Sequence, residues 1–243
     1  MGQERRARLL SPGPWQWNHD MSDLSLQRLN MVESQVRPSD VTDRRIPRAM
    51  KAVPREAFVS AARRSLAYLD IDLPLDVPGQ GNTGRVLLAP RTFAKLLQLA
   101  AIEPGAIVLD IGCGTGYSSA ILARLAQTVV ALERDTALVQ EATRVLQSLG
   151  ADTVAVVQGE LTAGYPAEGP FDAIVIEGAV ASVPEALLGQ LKDGGRLVAI
   201  QSDGRTSRAL VWQRSGSAIS ESDGFDAVAP FLPGFEPVHR FTF

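Results

Sequence analysis

An aspartate and three glycines are spaced as in a loop that holds a nucleotide-type cofactor. Asp110 lies in the apolar run 107–111, which predicts a strand, and glycines at 112, 114 and 116 precede a helix-forming run at 117–123. Glycine lets the backbone turn sharply and lets a ligand approach where a Cβ would collide. Because free N–H groups at the start of a helix face such a ligand, the stretch predicts a cofactor site at a strand–loop–helix junction.

The spacing of the glycines restricts the class of cofactor. A dinucleotide-binding G-x-G-x-x-G motif would need its third glycine where this chain has Tyr117, and the Gly-Lys-Ser/Thr ending of a P-loop is absent. An acidic residue followed by G-x-G-x-G resembles instead the first motif of the methyltransferases that use S-adenosyl-L-methionine (SAM). The alternative at this point is an ordinary glycine-rich turn between a strand and a helix.

A second acid, Glu133, supports a cofactor site. It ends the apolar run 128–133, about 20 residues beyond the first glycine, where an acid accepts hydrogen bonds from the two ribose hydroxyls of a nucleotide. With Asp110 and Glu133 both in place, the sequence favours a SAM site over a simple turn.

Length and composition favour one large α/β domain with an N-terminal addition, because the chain has 243 residues of which 45% are hydrophobic. The formal net charge of -3 gives no general attraction to nucleic acid. No apolar run reaches the ~18 residues that span a bilayer. We therefore expect neither nucleic acid nor membrane as a partner.

Few residues are suited to redox or metal chemistry. The single cysteine, Cys113, excludes an internal disulfide and a multi-thiolate metal site, and the two histidines, His19 and His239, lie near the termini. We therefore expect no metal. The basic N-terminus is not followed by the apolar segment of a secretion signal, so a cytoplasmic protein is expected.

The remaining pattern predicts a Rossmann-like, mostly parallel seven-stranded sheet with helices on both faces, plus a small helical N-terminal subdomain. Helical patterns are found at 22–34, 43–53, 53–59, 91–101, 135–149 and 183–191. Strand patterns are found at 107–111, 128–133, 153–157, 171–176 and 192–200, followed by a hairpin at 209–220 and a further strand at 225–231.

Several short segments resemble one methyltransferase family in particular. They are Met31-Val-Glu-Ser-Gln-Val-Arg-Pro38, Thr42-Asp43 with Ala49-Met50, Val53-Pro-Arg-Glu-Ala-Phe-Val59 and Ala67-Tyr-Leu-Asp70. Together with the glycine loop and Gly194-Gly195 they resemble the protein-L-isoaspartate O-methyltransferases over roughly residues 30–200. The resemblance implies SAM-dependent methylation of the α-carboxylate of isoaspartyl residues in damaged proteins. The ester then collapses to a succinimide, which allows repair.

The sequence departs from this family between residues 71 and 90. The family's pattern there is a glycine, Gln-Thr-Ile-Ser, one variable residue and a proline, whereas this chain has Gly84-Arg-Val-Leu-Leu-Ala-Pro90. Val86 thus replaces the threonine and Leu88 replaces the active-site serine. We expect these two side chains to form apolar packing, so the catalytic residues are left unassigned. Gln80, Arg85 and Arg91 are candidate substitute donors, each weighed against being an exposed loop residue.

The resemblance also implies which residues contact the cofactor. Gly159 and Glu160 follow the third strand of the domain, where the family has an acid that faces the adenine amino group; the alternative for Glu160 is a plain loop acid. Glu177 follows the fourth strand at the edge where ligands bind in such sheets, so it is a candidate to line the substrate cleft; the alternative is a solvated loop acid. Cys113 is expected to pack beside the cofactor as a small residue. The full candidate set is Asp110, Gly112, Cys113, Gly114, Thr115, Gly116, Glu133, Arg134, Gly159, Glu160 and Glu177.

The implied chemistry needs little from the protein beyond alignment. A carboxylate is ionised at neutral pH, so it can attack the activated methyl group of SAM without a general base. Two alternatives remain open: an enzyme of this fold with a different acceptor, and a SAM-binding protein without isoaspartyl activity. We expect residues 1–20 to be a disordered extension, residues 21–90 to carry the helical subdomain and acceptor loop, and residues 91–243 to bind SAM. The oligomeric state is left open.

Overall fold

The computed structural model describes residues 16–77 and 81–237. Of the expected disordered extension, residues 1–15 lie outside the described residues, as does the candidate donor Gln80. The first helix, α1 (Gln16–Met31), begins inside the proposed extension and continues into a π-helical turn at Val32–Val36.

The predicted seven-stranded sheet is confirmed. Its strands stand in the order β5–β4–β3–β6–β7–β8–β9; the first five are parallel, and β8 and β9 add two antiparallel pairings at one side. Their bounds are β3 Ile107–Ile111, β4 Thr128–Glu133, β5 Val154–Gln158, β6 Phe171–Val180, β7 Leu191–Ser202, β8 Ser207–Ser215 and β9 Ala218–Asp226. Each central strand is almost wholly apolar because helices or loops cover both faces of the sheet.

Helices flank this sheet and the N-terminal segment packs beside it. They are α2 Arg45–Ala52, α3 Pro90–Ala100, α4 Tyr117–Leu122, α5 Thr136–Ser148 and α6 Glu185–Leu188, with a short 3-10 helix at Arg55–Phe58. The helix expected at 183–191 is thus only four residues long, because β7 already begins at Leu191. The expected strand at 225–231 is wrong: Phe225 belongs to β9, and Phe231 forms only an isolated bridge with Ala179.

The largest difference from expectation concerns residues 71–90. Instead of a loop, they contain an antiparallel hairpin of β1 (Leu73–Val77) and β2 (Gly81–Leu87). One face of this hairpin is buried, with alternate residues of β1 inward, so it covers the domain rather than extending into solvent.

The site predicted from the glycine loop lies at the carboxyl edge of the parallel strands. The chain leaves β3 toward β4 on one side and returns to β6 on the other, which makes the end of β3 a topological switch point. Loops diverge there and leave room for a ligand. Among the described residues, no helix is long and apolar enough to cross a membrane, and no cluster of acid, histidine or cysteine side chains is arranged for a metal ion.

Candidate active site

The glycine loop adopts a conformation that other residues rarely take. Gly112, Gly114 and Gly116 have φ angles of 77°, 57° and 95°. A Cβ on Gly116 would lie 2.9 Å from Cδ1 of Leu146, so this glycine lets α4 pack against α5. A hydrogen bond of 2.8 Å from the Gly112 N–H to the Leu132 carbonyl ties the loop to β4.

Asp110 is fully buried at the end of β3 with one oxygen free. Its Oδ2 accepts hydrogen bonds from the hydroxyls of Ser118 (2.7 Å) and Ser119 (2.6 Å) in α4, whereas its Oδ1 has no partner among the residues that the structure describes. Burial raises the pKa of Asp110 to about 6, and the two serine hydroxyls oppose that shift. A buried, unpartnered carboxylate oxygen next to a glycine loop suits a cationic ligand group.

The Glu133 carboxylate accepts hydrogen bonds from several parts of the loop. Its Oε2 accepts the Gly114 N–H at 2.9 Å, and its Oε1 accepts the backbone N–H groups of Arg134 (2.8 Å) and Asp135 (3.2 Å). Oε1 also accepts Nη1 of Arg85 at 2.9 Å, in an ion pair whose two side chains are 5% and 0% exposed. Four donors therefore converge on one carboxylate.

Side chains from two other segments lie against the glycines. Nη2 of Arg85 donates to the Gly112 carbonyl at 2.8 Å, and a Cβ on Gly112 would lie 2.7 Å from that nitrogen. Leu75 of β1 lies against Gly114, and Leu232 lies against Gly112 and Gly178. The hairpin and the C-terminal segment thus cover the loop from two sides.

A cavity of about 400 Å³ opens beside this covered loop. It is lined by Thr83, Arg85, Glu133, Arg134, Asp135, Thr136 and Pro233. It therefore adjoins Glu133, the acid at the end of β4.

Glu177 is a second buried acid with an unpartnered oxygen. It follows Ile176, which pairs with Ile111, so its backbone lies beside the start of the glycine loop. It is 7% exposed, and within residues 16–77 and 81–237 its Oε1 has no hydrogen-bond partner. Burial, reinforced by the nearby charge of Asp110, raises the pKa of Glu177 well above its usual value.

The other candidate residues occupy less central positions. Glu160 is exposed and pairs with Arg134 at 3.6 Å, and the Gly159 N–H donates to the Glu133 carbonyl at 3.0 Å. Cys113 is buried, which raises its thiol pKa well above the usual value and disfavours a thiolate. The Thr115 hydroxyl donates to the Phe58 carbonyl at 2.7 Å, so it ties the loop to the N-terminal segment.

The N-terminal segment packs against the start of the helix that follows the glycine loop. Arg55 is fully buried; it donates to the carbonyls of Ala67 and Leu88 at 2.8 Å each, and its guanidinium lies 4.8 Å from the Tyr117 ring. Phe58 packs edge-on against the same ring. The Val53–Val59 motif therefore fixes the start of α4 and the end of β2 together.

Val86 and Leu88 form apolar packing, as expected. Leu88 is 2% exposed in the main core, and Val86 is partly buried against the same cluster. Arg91, another candidate donor, is exposed and pairs with Asp70 at 3.3 Å. Of the candidate donors that the structure describes, Arg85 alone reaches the glycine loop.

Sequence reasoning missed three contributors to this site. The sequence predicts Ser118 and Ser119 only as part of a helix, although hydroxyls eight and nine residues after an acid can reach back across a tight loop. The Arg85–Glu133 pair joins residues 48 apart in the chain. No local signal in the sequence identifies such a pair.

Comparison with known proteins agrees with the geometry. The sequence profile of the family described as protein-L-isoaspartate(D-aspartate) O-methyltransferase matches residues 27–228. A protein-L-isoaspartate O-methyltransferase of Herpetosiphon aurantiacus is 39% identical over 197 residues, covering 81% of this chain and 85% of that protein. One from Methylorubrum extorquens is 39% identical over 211 residues, covering 87% and 89%.

Solved structures show the same fold. A protein-L-isoaspartate O-methyltransferase superimposes with a TM-score of 0.75 at 25% identity, over 86% of this chain and 66% of that one, just under two thirds of its length. A Plasmodium falciparum protein solved with S-adenosyl-L-homocysteine gives a TM-score of 0.70 at 21% identity, over 84% of this chain and 98% of that one. The matched span and the identity over most of the chain show that this protein belongs to the protein-L-isoaspartate O-methyltransferase family.

Proposed function

We propose that the protein transfers a methyl group from SAM to the carboxylate of isoaspartyl residues in damaged proteins. The observation that carries this proposal is the family match over residues 27–228, which includes both the glycine loop and the N-terminal segment that supports it. The activity follows from a site at the carboxyl edge of the sheet, where two acids and three glycines converge.

The residues at this edge fit the cofactor. The unpartnered oxygens of Asp110 and Glu177 suit the α-ammonium group of SAM, since a buried acceptor gains most from a charged donor. Glu133 is placed to accept the ribose hydroxyls, and Gly112 leaves the face of the loop open to close approach once Arg85 moves. Arg134, Gly159 and Glu160 line the outer end, where an adenine ring would lie.

When bound, SAM supplies an electrophilic methyl group on a sulfonium. The chain's own part is to orient the acceptor carboxylate and to exclude water from the cleft. The β1–β2 hairpin and the segment around Leu232, which both lie on the glycine loop, provide that cover. An ionised carboxylate needs no base, so the protonated state that burial favours for Glu177 does not hinder the reaction.

The location and the domain organisation are part of the same proposal. Residues 21–90 present the acceptor and residues 91–243 hold SAM, within one continuous apolar core that contains both Met31 and Val211. A single buried cysteine is compatible with a reducing cytoplasm.

Labelled SAM and an isoaspartyl peptide test the proposal. We expect a methyl ester that is released by mild base. Binding of SAM without any base-labile ester on the peptide would refute the substrate and leave the cofactor assignment intact.

A second candidate is the same chemistry on another carboxylate. It is favoured by the buried, apolar side chain of Leu88 where the family has a serine, since Leu88 offers the acceptor no hydroxyl. Greater turnover on a small carboxylic acid than on the isoaspartyl peptide would favour this candidate, whereas the family match favours the first.

A further inference from the structure

We propose that Arg85 binds the carboxylate of the methyl acceptor, and that the protein holds this arginine on Glu133 until the cofactor's ribose displaces it. The inference rests on the proposed function, since it assumes that SAM occupies the glycine loop and that the acceptor is a carboxylate. It assigns a binding residue to an acceptor site that has lost its expected hydroxyls.

The first step is that the cofactor and Arg85 compete for Glu133. A carboxylate offers about four lone-pair sites. Three donors of the described residues crowd Oε1, namely Nη1 of Arg85 and the backbone N–H groups of Arg134 and Asp135, whereas Oε2 accepts the Gly114 N–H. The guanidinium is the one donor to Oε1 that lies on a flexible side chain, so a ribose hydroxyl gains that oxygen by displacing it.

The second step is that Arg85 also occupies the approach to the loop. Its Nη2 lies 2.7 Å from the position of a Cβ on Gly112 and donates to that residue's carbonyl. This is the face that a glycine leaves free for a ligand. Cofactor binding therefore breaks both contacts of the guanidinium, not the ion pair alone.

The third step is that a displaced Arg85 needs another anion. The side chain is 5% exposed, and a buried guanidinium without a partner is costly. Arg85 lies on β2 beside Val86 and shortly before Leu88, the two positions where the resemblance places hydroxyls for the acceptor. Because neighbouring residues of a strand face opposite ways, Arg85 would reach the acceptor from the glycine-loop side of β2, where its guanidinium lies. A guanidinium binds a carboxylate through two parallel hydrogen bonds, so one arginine can replace two hydroxyls.

These steps give an order of binding. Without cofactor, Arg85 is held by Glu133 and cannot bind the acceptor; with cofactor, it is released toward the hairpin side of the cleft. The acceptor should therefore bind after SAM. The competition also lowers the apparent affinity for SAM by the fraction of time that Arg85 lies on Glu133.

Titration of S-adenosyl-L-homocysteine into the full chain, wild type against Arg85→Ala and Arg85→Gln, tests the competition. Both variants should bind about tenfold more tightly, because the internal competitor is gone. Arg85→Gln keeps a polar side chain that is uncharged and too short to reproduce the contact with Glu133, so the test survives if Arg85→Ala folds poorly. The matched control is Arg63→Ala: Arg63 pairs with Asp76 on the same hairpin, away from the glycine loop. It should leave the affinity within about twofold.

Steady-state methylation of an isoaspartyl peptide at saturating SAM tests the acceptor contact. Both Arg85 variants should raise the peptide KM about tenfold or more with a smaller change in kcat, and Arg85→Lys should recover part of the loss. If both variants bound S-adenosyl-L-homocysteine as the wild type does, or more weakly, the displacement of Arg85 from Glu133 would be overturned. An unchanged peptide KM would overturn the contact between Arg85 and the acceptor. If the wild type does not methylate the peptide, the proposed function fails and the acceptor contact fails with it. The titration would still decide the displacement.

Discussion

Replacing Glu133 by glutamine should destabilise the protein far more than replacing its partner Arg85. In Glu133→Gln, one amide nitrogen faces a backbone donor that formerly met an oxygen, and the guanidinium loses its counter-charge in a site where both side chains are nearly inaccessible. Removing one member of a buried pair in this way costs about 3–5 kcal/mol.

The reverse change leaves more of the network intact. In Arg85→Gln, Glu133 keeps three backbone N–H donors, from Gly114, Arg134 and Asp135. A carboxylate so solvated loses only one charged hydrogen bond, and we expect a cost of about 1–3 kcal/mol. The double variant should cost less than the sum of the two, because each single change already breaks the shared contact.

Urea unfolding followed by circular dichroism measures all three variants against the wild type without cofactor. The m-value should stay constant, so that midpoints can be compared directly. Equal losses in the two single variants, or strict additivity in the double variant, would refute the description of Glu133 as the residue to which several parts of the loop donate.

Two further predictions concern Asp110 and the glycine loop. Burial raises the pKa of Asp110 to about 6, and the α-ammonium group of the cofactor binds the ionised carboxylate. The affinity for S-adenosylhomocysteine, measured by calorimetry, should therefore fall as the pH drops through about 6, and Asp110→Asn should flatten this profile. A wild-type affinity that rises toward acid pH would contradict this prediction. Gly116→Ala should lose about 1–3 kcal/mol more unfolding free energy than Gly204→Ala. Both glycines have positive φ angles, but only a Cβ on Gly116 would lie against Leu146. Equal losses would show that this contact is unimportant.

The sequence was sufficient to predict the seven-stranded sheet and the class of cofactor. Apolar runs of five or six residues ending in Asp110 and Glu133 predict buried parallel strands, and glycine spacing predicts the loop between them, because these features depend on neighbouring residues. The short α6 and the missing strand at 225–231 show the limit: tertiary pairing of Phe231 with Ala179, not local propensity, decides that segment.

The acceptor side could not be predicted in the same way. Residues 73–87 form a hairpin whose buried face is set by what lies beneath it, and the Arg85–Glu133 pair joins distant parts of the chain. The sequence identified Arg85 as one of three candidate donors but gave no means to choose among them. The sequence likewise predicts only a short helix around Arg55, whereas the structure encloses its guanidinium between Tyr117 and two backbone carbonyls.

The central claim is that this chain methylates an isoaspartyl carboxylate, and a matched pair of peptides tests it most directly. The two peptides share one sequence and differ only in whether the aspartate is linked through its side chain or its main chain. Mass spectrometry after incubation with SAM should show a methyl ester on the isoaspartyl peptide alone, followed by loss of methanol as the succinimide forms. Equal methylation of both peptides, or a base-stable product, would contradict the account.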